Sequence, residues 1–393
     1  MMIDEAPRPE HSNLGASGAE RWMNCPGSAA LLKELKLPEN DEPDYRREGI
    51  AMHEAAADCL VRGLDTWEIT GQSYYETVIE PEMARAIQVY LDTVRPLAER
   101  AIQSFVEYPI SSPVHPQFYG RLDFGAILQD SIDIVDLKGG EGIIVDPFEN
   151  PQIMYYGFGL IDGEERASGV VFPDELPVHL GIVQPRGFSL EGPVRWWTSS
   201  VGEIKEWVHS VLVPAMCATE YDNSLDAGPW CRFCSAKLVC PLLTSLFRAA
   251  CTANPKEIVN ISDASLDRSY HYLAAVKFYV KAFEDETMRR LMTGKAEISE
   301  AKLVKKRSNR VFKAGAADLA KARFGDDAFT KPELKSPPEL EKVSPAAKQW
   351  VHEFAYLPDT GYTVAAADDK RPGIKVKPGD EVFAHYINGD KEL

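Results

Sequence analysis

Two aspartates and a lysine form the most specific chemical pattern in this chain. They are Asp123, Asp136 and Lys138, in the segment GRLDFGAILQDSIDIVDLK. Carboxylates that lie side by side repel each other unless something neutralises them, and a divalent metal ion does so. Lys138 projects from the same strand face as Asp136, where its ammonium group can stabilise charge on a phosphate or orient a water molecule. The pattern indicates phosphodiester chemistry, although a hairpin with a solvated polar face would show the same three residues.

A tight hairpin would bring the two aspartates together. Apolar and polar residues alternate over residues 119–128 and again over 131–138, which predicts two strands joined at Gln129-Asp130. A two-residue loop fixes the register of such a pair. Leu128 then faces Ser131 and, counting outward, the two aspartates become cross-strand neighbours.

The hairpin is expected inside a mixed α/β core. The sequence pattern predicts helices over 17–36 (broken at Cys25-Pro26-Gly27 and resumed with Ser28 as cap), 45–63, 80–103, 202–218 and 265–292, a helix that opens at Asn150-Pro151, and further strands over 104–110 and 178–184. The order helix, three strands, helix, strand predicts a central mixed sheet flanked by helices.

Two predicted helices carry polar side chains that suit the same site. Most single histidines on helices are structural, but His53 is a candidate third metal ligand if it lies near both carboxylates, because imidazole suits Mn²⁺. Glu48 is a weaker candidate on the same helix. Gln152 and Tyr156 are four residues apart and share a helix face, where they can contact a base or a phosphate. Taken alone, the pair is equally typical of a polar helix edge.

A cysteine cluster indicates a metal centre. Cys231, Cys234 and Cys240 form a C-x2-C-x5-C pattern, which rarely arises from packing alone. Cys25, in a helix-breaking Cys-Pro-Gly, is best suited as the fourth ligand. Zinc and an iron-sulfur cluster are both compatible with four thiolates. Either would join sequence positions about 200 residues apart as a structural clasp.

Composition narrows the class of protein. The chain has 393 residues with 45% hydrophobic residues, so it can hold two or more domains. The first residues show no export signal, no apolar run reaches membrane-spanning length, and there are seven cysteines. These features predict a soluble protein of a reducing, cytoplasmic compartment without membrane partners. The net charge of −17 would restrict nucleic-acid binding to basic patches or a metal-loaded groove.

The motifs together resemble a nuclease family. In order along the chain they are Cys25-Pro26, His53, Gly120-Arg121-Leu122-Asp123, Asp136-Leu137-Lys138, Gln152 with Tyr156, and the three-cysteine pattern. Their order is similar to the RecB-like branch of the PD-(D/E)xK nucleases, and more narrowly to its iron-sulfur members, the CRISPR-associated single-strand exonucleases and the AddB nuclease domain. The segments RWMNCPGS and EGIAMHEAA resemble a phage and prophage group of such nucleases. The resemblance covers about residues 15–245.

The resemblance implies a fold and a set of site residues. The fold is a mixed α/β, restriction-endonuclease-like core with an iron-sulfur clasp and a C-terminal extension. The implied metal ligands for Mn²⁺ or Mg²⁺ are His53, Asp123, Asp136 and the Leu137 carbonyl; Lys138 is the implied catalytic lysine, Gln152 and Tyr156 position DNA, and Cys25, Cys231, Cys234 and Cys240 hold a [4Fe-4S] cluster. The expected domains are a flexible terminus (1–16), a nuclease domain (17–250), a helical and basic extension (251–314) and an accessory region (315–393).

The implied activity is exonucleolytic hydrolysis of single-stranded DNA from the 5′ end. It would serve phage DNA recombination, repair or processing in the cytoplasm of a bacterial host, but no residue fixes the strand polarity. No G-x4-G-K-[ST] motif occurs, so either a helicase or recombinase partner supplies ends or the substrate DNA is already single-stranded or frayed. An oligomer is compatible with the sequence.

A basic patch and three other functions stay open at this stage. The patch is a candidate DNA-backbone contact or a solvated hairpin, and consists of Lys302, Lys305, Lys306, Arg307 and Arg310. The other functions are a non-catalytic DNA-binding scaffold of recombination, an endonuclease that acts on structured DNA, and a zinc protein without enzymatic activity.

Overall fold

A computed structural model describes residues 12–35, 44–140, 142–252 and 261–292, together with residues 345, 348 and 349. The chain divides into two units, Met1–Val304 and Lys305–Leu393, and the description below concerns the first. The basic patch and almost all of the predicted accessory region therefore lie outside the described residues.

A five-stranded mixed sheet forms the centre of the first unit. Its strands are β3 (Gln103–Ser111), β4 (Tyr119–Ile127), β5 (Ile132–Leu137), β6 (Pro177–Val183) and β7 (Val194–Ser200). Two short strands precede them in the chain, β1 (Ser73–Tyr74) and β2 (Thr77–Val78). Strands β3 to β7 follow one another in sequence order across the sheet, and β1 pairs with β2 in a separate hairpin. Strands β5 and β6 run parallel, and the crossover connection between them contains the helix Pro151–Ser168. The other neighbouring strands run antiparallel.

Helices surround this sheet. They are α1 (Ala19–Asn24), α2 (Gly27–Leu35), α3 (Asp44–Arg62), α4 (Thr66–Ile69), α5 (Pro81–Arg100), α6 (Pro151–Ser168), α7 (Val201–Trp207), α8 (Val213–Tyr221), α9 (Pro241–Thr252) and α10 (Asp263–Met292). A π-helical turn, Val208–Leu212, joins α7 to α8, and 3₁₀ turns occupy Ala16–Gly18 and Pro229–Phe233. Within the described residues, no helix is both long and apolar enough to span a bilayer.

Each face of the sheet is buried by a different pair of helices. Residues of α6 and α7, such as Leu160 and Ile204, pack with Ile134 and Leu180 on one side. Residues of α3 and α5, such as Met52 and Leu91, pack with Phe124 on the other. The prediction of a mixed α/β fold with a central mixed sheet flanked by helices is thus confirmed at this level.

The predicted hairpin is present with the predicted register. The Leu128 N–H donates to the Ser131 carbonyl at 2.9 Å, which closes a two-residue loop. The ladder then runs from Ile127 opposite Ile132 to Phe124 opposite Val135. One further step along this register places Asp123 opposite Asp136.

Several predicted boundaries were wrong. Strand β7 was not predicted, and neither were α4, α9 nor the β1–β2 hairpin. The helix predicted over 202–218 is interrupted by the π turn, and Ser28 lies inside α2, where its hydroxyl accepts a bond from Arg21 instead of capping the helix. Helix α5 continues through Pro96 and ends at Arg100.

Candidate active site

Strand β5 supplies the most deeply buried acid of the site. All six residues of β5 are buried, as expected for a central strand that is covered on both faces. Asp136 is 1% exposed. A charge at this depth is stable only when other groups or a bound cation compensate it. Hydrophobic packing therefore does not account for an aspartate at this position, and its carboxylate needs polar or cationic partners.

Helix α3 places His53 against the neighbouring strand. His53 Nδ1 lies 3.3 Å from Asp123 Oδ1 and 3.8 Å from Glu107 Oε1. The other Asp123 oxygen accepts the Leu137 N–H at 2.8 Å, so the Asp123 carboxylate bridges the helix and strand β5. Leu137, whose carbonyl the family resemblance assigns to the metal, thus adjoins this carboxylate through its backbone.

Glu107 is a site residue that the sequence did not reveal. In the β3–β4 register, Val106 faces Phe124 and Tyr108 faces Leu122, which places Glu107 opposite Asp123. Carboxylates from β3, β4 and β5 therefore follow one another across three adjacent strands. The Ser112–Phe118 connection is too long for its sequence to fix the strand register, so this placement could not be counted from a turn.

Glu107, His53 and Asp123 form a set of possible metal ligands. Among the described residues, they are the one set of three His, Cys, Asp or Glu side chains whose ligand atoms all lie within 4.8 Å of one another. Asp136 lies outside this set, although the sequence predicted it as a ligand beside His53 and Asp123. Two carboxylates and an imidazole are the donors that suit a divalent ion such as Mn²⁺.

A second network surrounds Asp136. Lys138 Nζ lies 2.8 Å from Asp136 Oδ2 and donates to Gln152 Oε1 at 2.8 Å. Gln152 Nε2 donates to Asp136 Oδ1 at 3.1 Å and to Tyr156 Oη at 3.4 Å. Asp136 Oδ2 is buried and, despite its ion pair with Lys138, has no hydrogen bond of good geometry among the described groups. Such an oxygen fits a site that a cation would complete.

The start of α6 fixes Gln152 in this network. Asn150 caps the helix by accepting the Gln152 N–H at 3.0 Å, and Pro151 occupies the first helical position. Tyr156 follows one turn later on the same face. The structure therefore brings together Asp136, Lys138, Gln152 and Tyr156.

The pKa shifts follow from burial and from these contacts. Burial alone would lower the pKa of His53, but the Asp123 and Glu107 carboxylates raise it well above its ordinary value. Burial opposes ionisation of Asp123, but His53 and the Leu137 N–H outweigh it, so the Asp123 pKa is lowered. Burial raises the pKa of Asp136; Lys138 opposes this rise and Asp123 reinforces it. The carboxylates of the site therefore interact electrostatically with one another, with His53 and with Lys138.

The pKa of Tyr90, on α5, is also affected by the carboxylates of the site. It is 2% exposed. Burial and then the charges of Asp123, Glu107 and Asp136 raise its pKa well above the ordinary tyrosine value. Three carboxylates from three strands therefore act on one buried hydroxyl, a convergence that no sequence motif signalled.

The four predicted cysteine ligands come together away from this site. Cys25 follows α1, whereas Cys231, Cys234 and Cys240 lie between α8 and α9. Burial raises the pKa of Cys231 to about 11, and the other three thiols add to the rise. The Cys25 and Cys234 thiols also have raised pKa values, first because of burial and then because of charges that include Cys240.

Among the described residues, no three of these four thiol sulfurs all lie within 4.8 Å of one another. Four thiols are the donors that either a zinc ion or an iron-sulfur cluster takes.

Two of the solved structures that are similar to this chain are described here by their identity, coverage and TM-score. A candidate exonuclease from Eubacterium rectale is 13% identical, with a TM-score of 0.36 over 60% of this chain and 92% of that chain. The protein SSO0001 is 12% identical, with a TM-score of 0.24 over 55% of this chain and 94% of that chain. Both TM-scores are below 0.5, so these similarities do not assign a function to this chain.

Comparison with protein families gives a much longer match. The sequence profile of a family described as a protein of unknown function, DUF2800, matches residues 11–372 and therefore includes the sheet, the carboxylate site and the four cysteines. This protein therefore belongs to the DUF2800 family.

Proposed function

We propose that this protein is a metal-dependent nuclease of the RecB-like PD-(D/E)xK type, which hydrolyses phosphodiester bonds of single-stranded DNA from an end. One observation carries the proposal: the possible ligands His53, Glu107 and Asp123 adjoin the network of Asp136, Lys138 and Gln152 around the β4–β5 hairpin. A hydrogen-bonded lysine beside clustered carboxylates is the arrangement that metal-assisted phosphodiester hydrolysis needs.

The carboxylate site would hold Mn²⁺ or Mg²⁺. His53, Glu107 and Asp123 would bind the ion, with Asp136 and the Leu137 carbonyl as further ligands. The ion would supply polarisation of the scissile phosphate and a lower pKa for the attacking water. The imidazole ligand favours Mn²⁺ over Mg²⁺.

Lys138 is proposed as the catalytic lysine. An ammonium group has three N–H donors. One is donated to Gln152 Oε1 at 2.8 Å, and Nζ forms an ion pair with Asp136 Oδ2 at 2.8 Å, which leaves N–H donors for a phosphate oxygen or a water molecule. Since the Gln152 amide also donates to Asp136, the lysine is held at one position before substrate arrives. Tyr156 adjoins this network and is proposed to contact DNA.

The four cysteines are proposed to hold a [4Fe-4S] cluster that fastens the N-terminal segment to residues 231–240. Two observations support the clasp. The Asp226 N–H points at Cys25 Sγ at 3.4 Å, and the Gly27 N–H donates to the Ser224 carbonyl at 2.9 Å. Both contacts tie the residues around α1 and α2 to the chain just before Cys231.

By its resemblance to the nuclease family, we further propose that the protein acts on single-stranded DNA from the 5′ end. It would serve phage DNA processing, with a helicase or recombinase partner that supplies ends.

The test is a nuclease assay with anaerobically prepared protein and Mn²⁺. The substrates are linear single strands labelled at the 5′ or the 3′ end, and a closed single-stranded circle. We expect degradation of the linear strands and an intact circle. Cutting of the circle would indicate an endonuclease, and DNA binding without cleavage at any Mn²⁺ or Mg²⁺ concentration would indicate a scaffold.

A further inference from the structure

Arg186 lies beside the candidate site, and the proposed mechanism gives it no role. It follows strand β6 in the segment VQPRG. Its side chain is 14% exposed. The guanidinium NH1 donates to Glu48 Oε2 at 2.9 Å and to the Gly139 carbonyl at 3.2 Å, and Nε lies 3.2 Å from Glu82 Oε1. One side chain therefore connects α3, α5 and the end of β5.

The bond from Arg186 to the Gly139 carbonyl bears on Lys138, because Gly139 directly follows Lys138 in the chain. On the N-terminal side of the Lys138 side chain, the Lys138 N–H donates to the Val183 carbonyl at 2.8 Å. The backbone is thus anchored both before and after the lysine side chain. The second anchor depends on Arg186.

Gly139 also lies directly against the helix that carries His53. A Cβ at this position would lie 3.0 Å from Met52 Sδ and 3.5 Å from the Gly49 Cα, so this strand end lies in close contact with α3. Glu48 and Met52 flank this contact on α3, and Arg186 binds Glu48. The arginine therefore holds together two segments that bear His53 and Lys138.

We infer that Arg186 is a positioning residue, which clamps the Lys138–Gly139 strand end to helix α3 and so fixes Lys138 for catalysis. The inference rests on the proposed nuclease function. A planar guanidinium suits this role because its donors form a rigid fork that remains charged at any pH at which proteins fold. It also explains why the Glu48 carboxylate, once a possible metal ligand, faces Arg186.

A direct DNA contact is the other role that an arginine near an active site can have. Here two carboxylates already face the guanidinium, from Glu48 and Glu82. They offset the positive charge that would attract a phosphate. The charge balance therefore favours positioning.

The test compares Arg186→Ala with wild-type protein in steady-state assays on single-stranded DNA with Mn²⁺. We expect kcat to fall by about 100-fold, as for a misplaced catalytic group, while KM changes little. Added guanidinium chloride, at concentrations far below those that unfold the protein, should restore part of kcat in Arg186→Ala. The same concentration of NaCl should not.

Arg95→Ala is the matched control. Arg95 also joins a carboxylate and a backbone carbonyl, those of Asp65 and Leu64, but it lies outside the site. We expect it to keep wild-type kcat and to show no response to guanidinium.

Three results would overturn the inference. The first is a wild-type kcat in Arg186→Ala, and the second is a raised KM at unchanged kcat, which would indicate a DNA contact. The third is a loss of kcat in Arg186→Ala that guanidinium does not restore, although the thermal midpoint of unfolding is the same as in wild type. If wild-type protein itself degrades no DNA, the proposed function fails instead.

Discussion

Glu107 combines backbone strain with a position at the site. Its φ angle is 46°, inside a strand and in the left-handed region that residues other than glycine rarely adopt. Such a conformation costs about 1–3 kcal/mol and persists where surrounding structure fixes it. Its carboxylate lies 3.8 Å from His53 Nδ1. The strained residue is thus the one that brings a third strand's carboxylate to the possible metal ligands.

At the residue scale, we predict that Glu107→Gln weakens metal binding. The amide removes one negative charge from the set formed with His53 and Asp123, so the apparent affinity for Mn²⁺ should fall by about tenfold or more. The measurement is a Mn²⁺ titration of nuclease activity, supported by calorimetric titration of the protein without DNA.

Glu149→Gln is the matched control for this prediction. Glu149 also has a positive φ angle, of 48°, but does not belong to the set of possible ligands. It should keep the wild-type Mn²⁺ dependence. Equal Mn²⁺ curves for Glu107→Gln and wild type would contradict a ligand role for Glu107.

At the scale of elements, helix α6 must lie close to the sheet for Gln152 to reach Lys138. Gly159 allows this approach, since a Cβ there would lie 2.9 Å from the Ile110 Cβ on β3. Gly163, one turn later, has no neighbouring atom within 4 Å of the same position. Gly159 therefore packs closely against β3, whereas Gly163 of the same helix does not.

We predict opposite effects of alanine at these two glycines. Gly159→Ala should lower the free energy of unfolding by about 1–3 kcal/mol, because α6 or Ile110 must shift. Gly163→Ala should leave it unchanged or raise it by up to about 1 kcal/mol, because alanine is the better helix former. Urea denaturation of both full-length variants provides the measurement. Equal effects of the two substitutions would show that α6 is not packed closely at Gly159.

How much the sequence predicts depends on the length of the connections. The two-residue loop at Gln129-Asp130 fixed the register of β4 and β5, and helical spacing placed Gln152 and Tyr156 on one face. The longer Ser112–Phe118 connection leaves the β3 register undetermined, so Glu107 could not be predicted. Strand β7 was missed because VRWWTSS lacks regular alternation of apolar and polar residues.

At the scale of the whole molecule, the cysteine quartet would join distant parts of the chain. Cys25 precedes the sheet, and the other three cysteines follow it. Helices α9 and α10 pack together beside the quartet, through Leu243 and Tyr279 in a cluster that includes Cys231. A metal centre there would hold the N-terminal segment against the C-terminal side of the core.

We predict that Cys25→Ser abolishes the proposed cluster and destabilises the protein. Wild-type protein purified without oxygen should be brown and contain iron, whereas the variant should lose both the colour and the iron. The free energy of unfolding should fall by an amount similar to the loss of a covalent cross-link, about 2–5 kcal/mol. Cys251→Ser should change neither property, since Cys251 is exposed and outside the quartet. Colourless wild-type protein with one stoichiometric zinc would contradict the cluster.

The most direct test of the central claim is degradation of end-labelled single-stranded DNA by wild type and Lys138→Ala at saturating Mn²⁺. Lys138 contacts both Asp136 and Gln152, and its loss should reduce the rate by at least about 100-fold. Circular dichroism should show that the fold is kept. Equal degradation by the folded variant and by wild type would contradict a metal-dependent nuclease site on this hairpin.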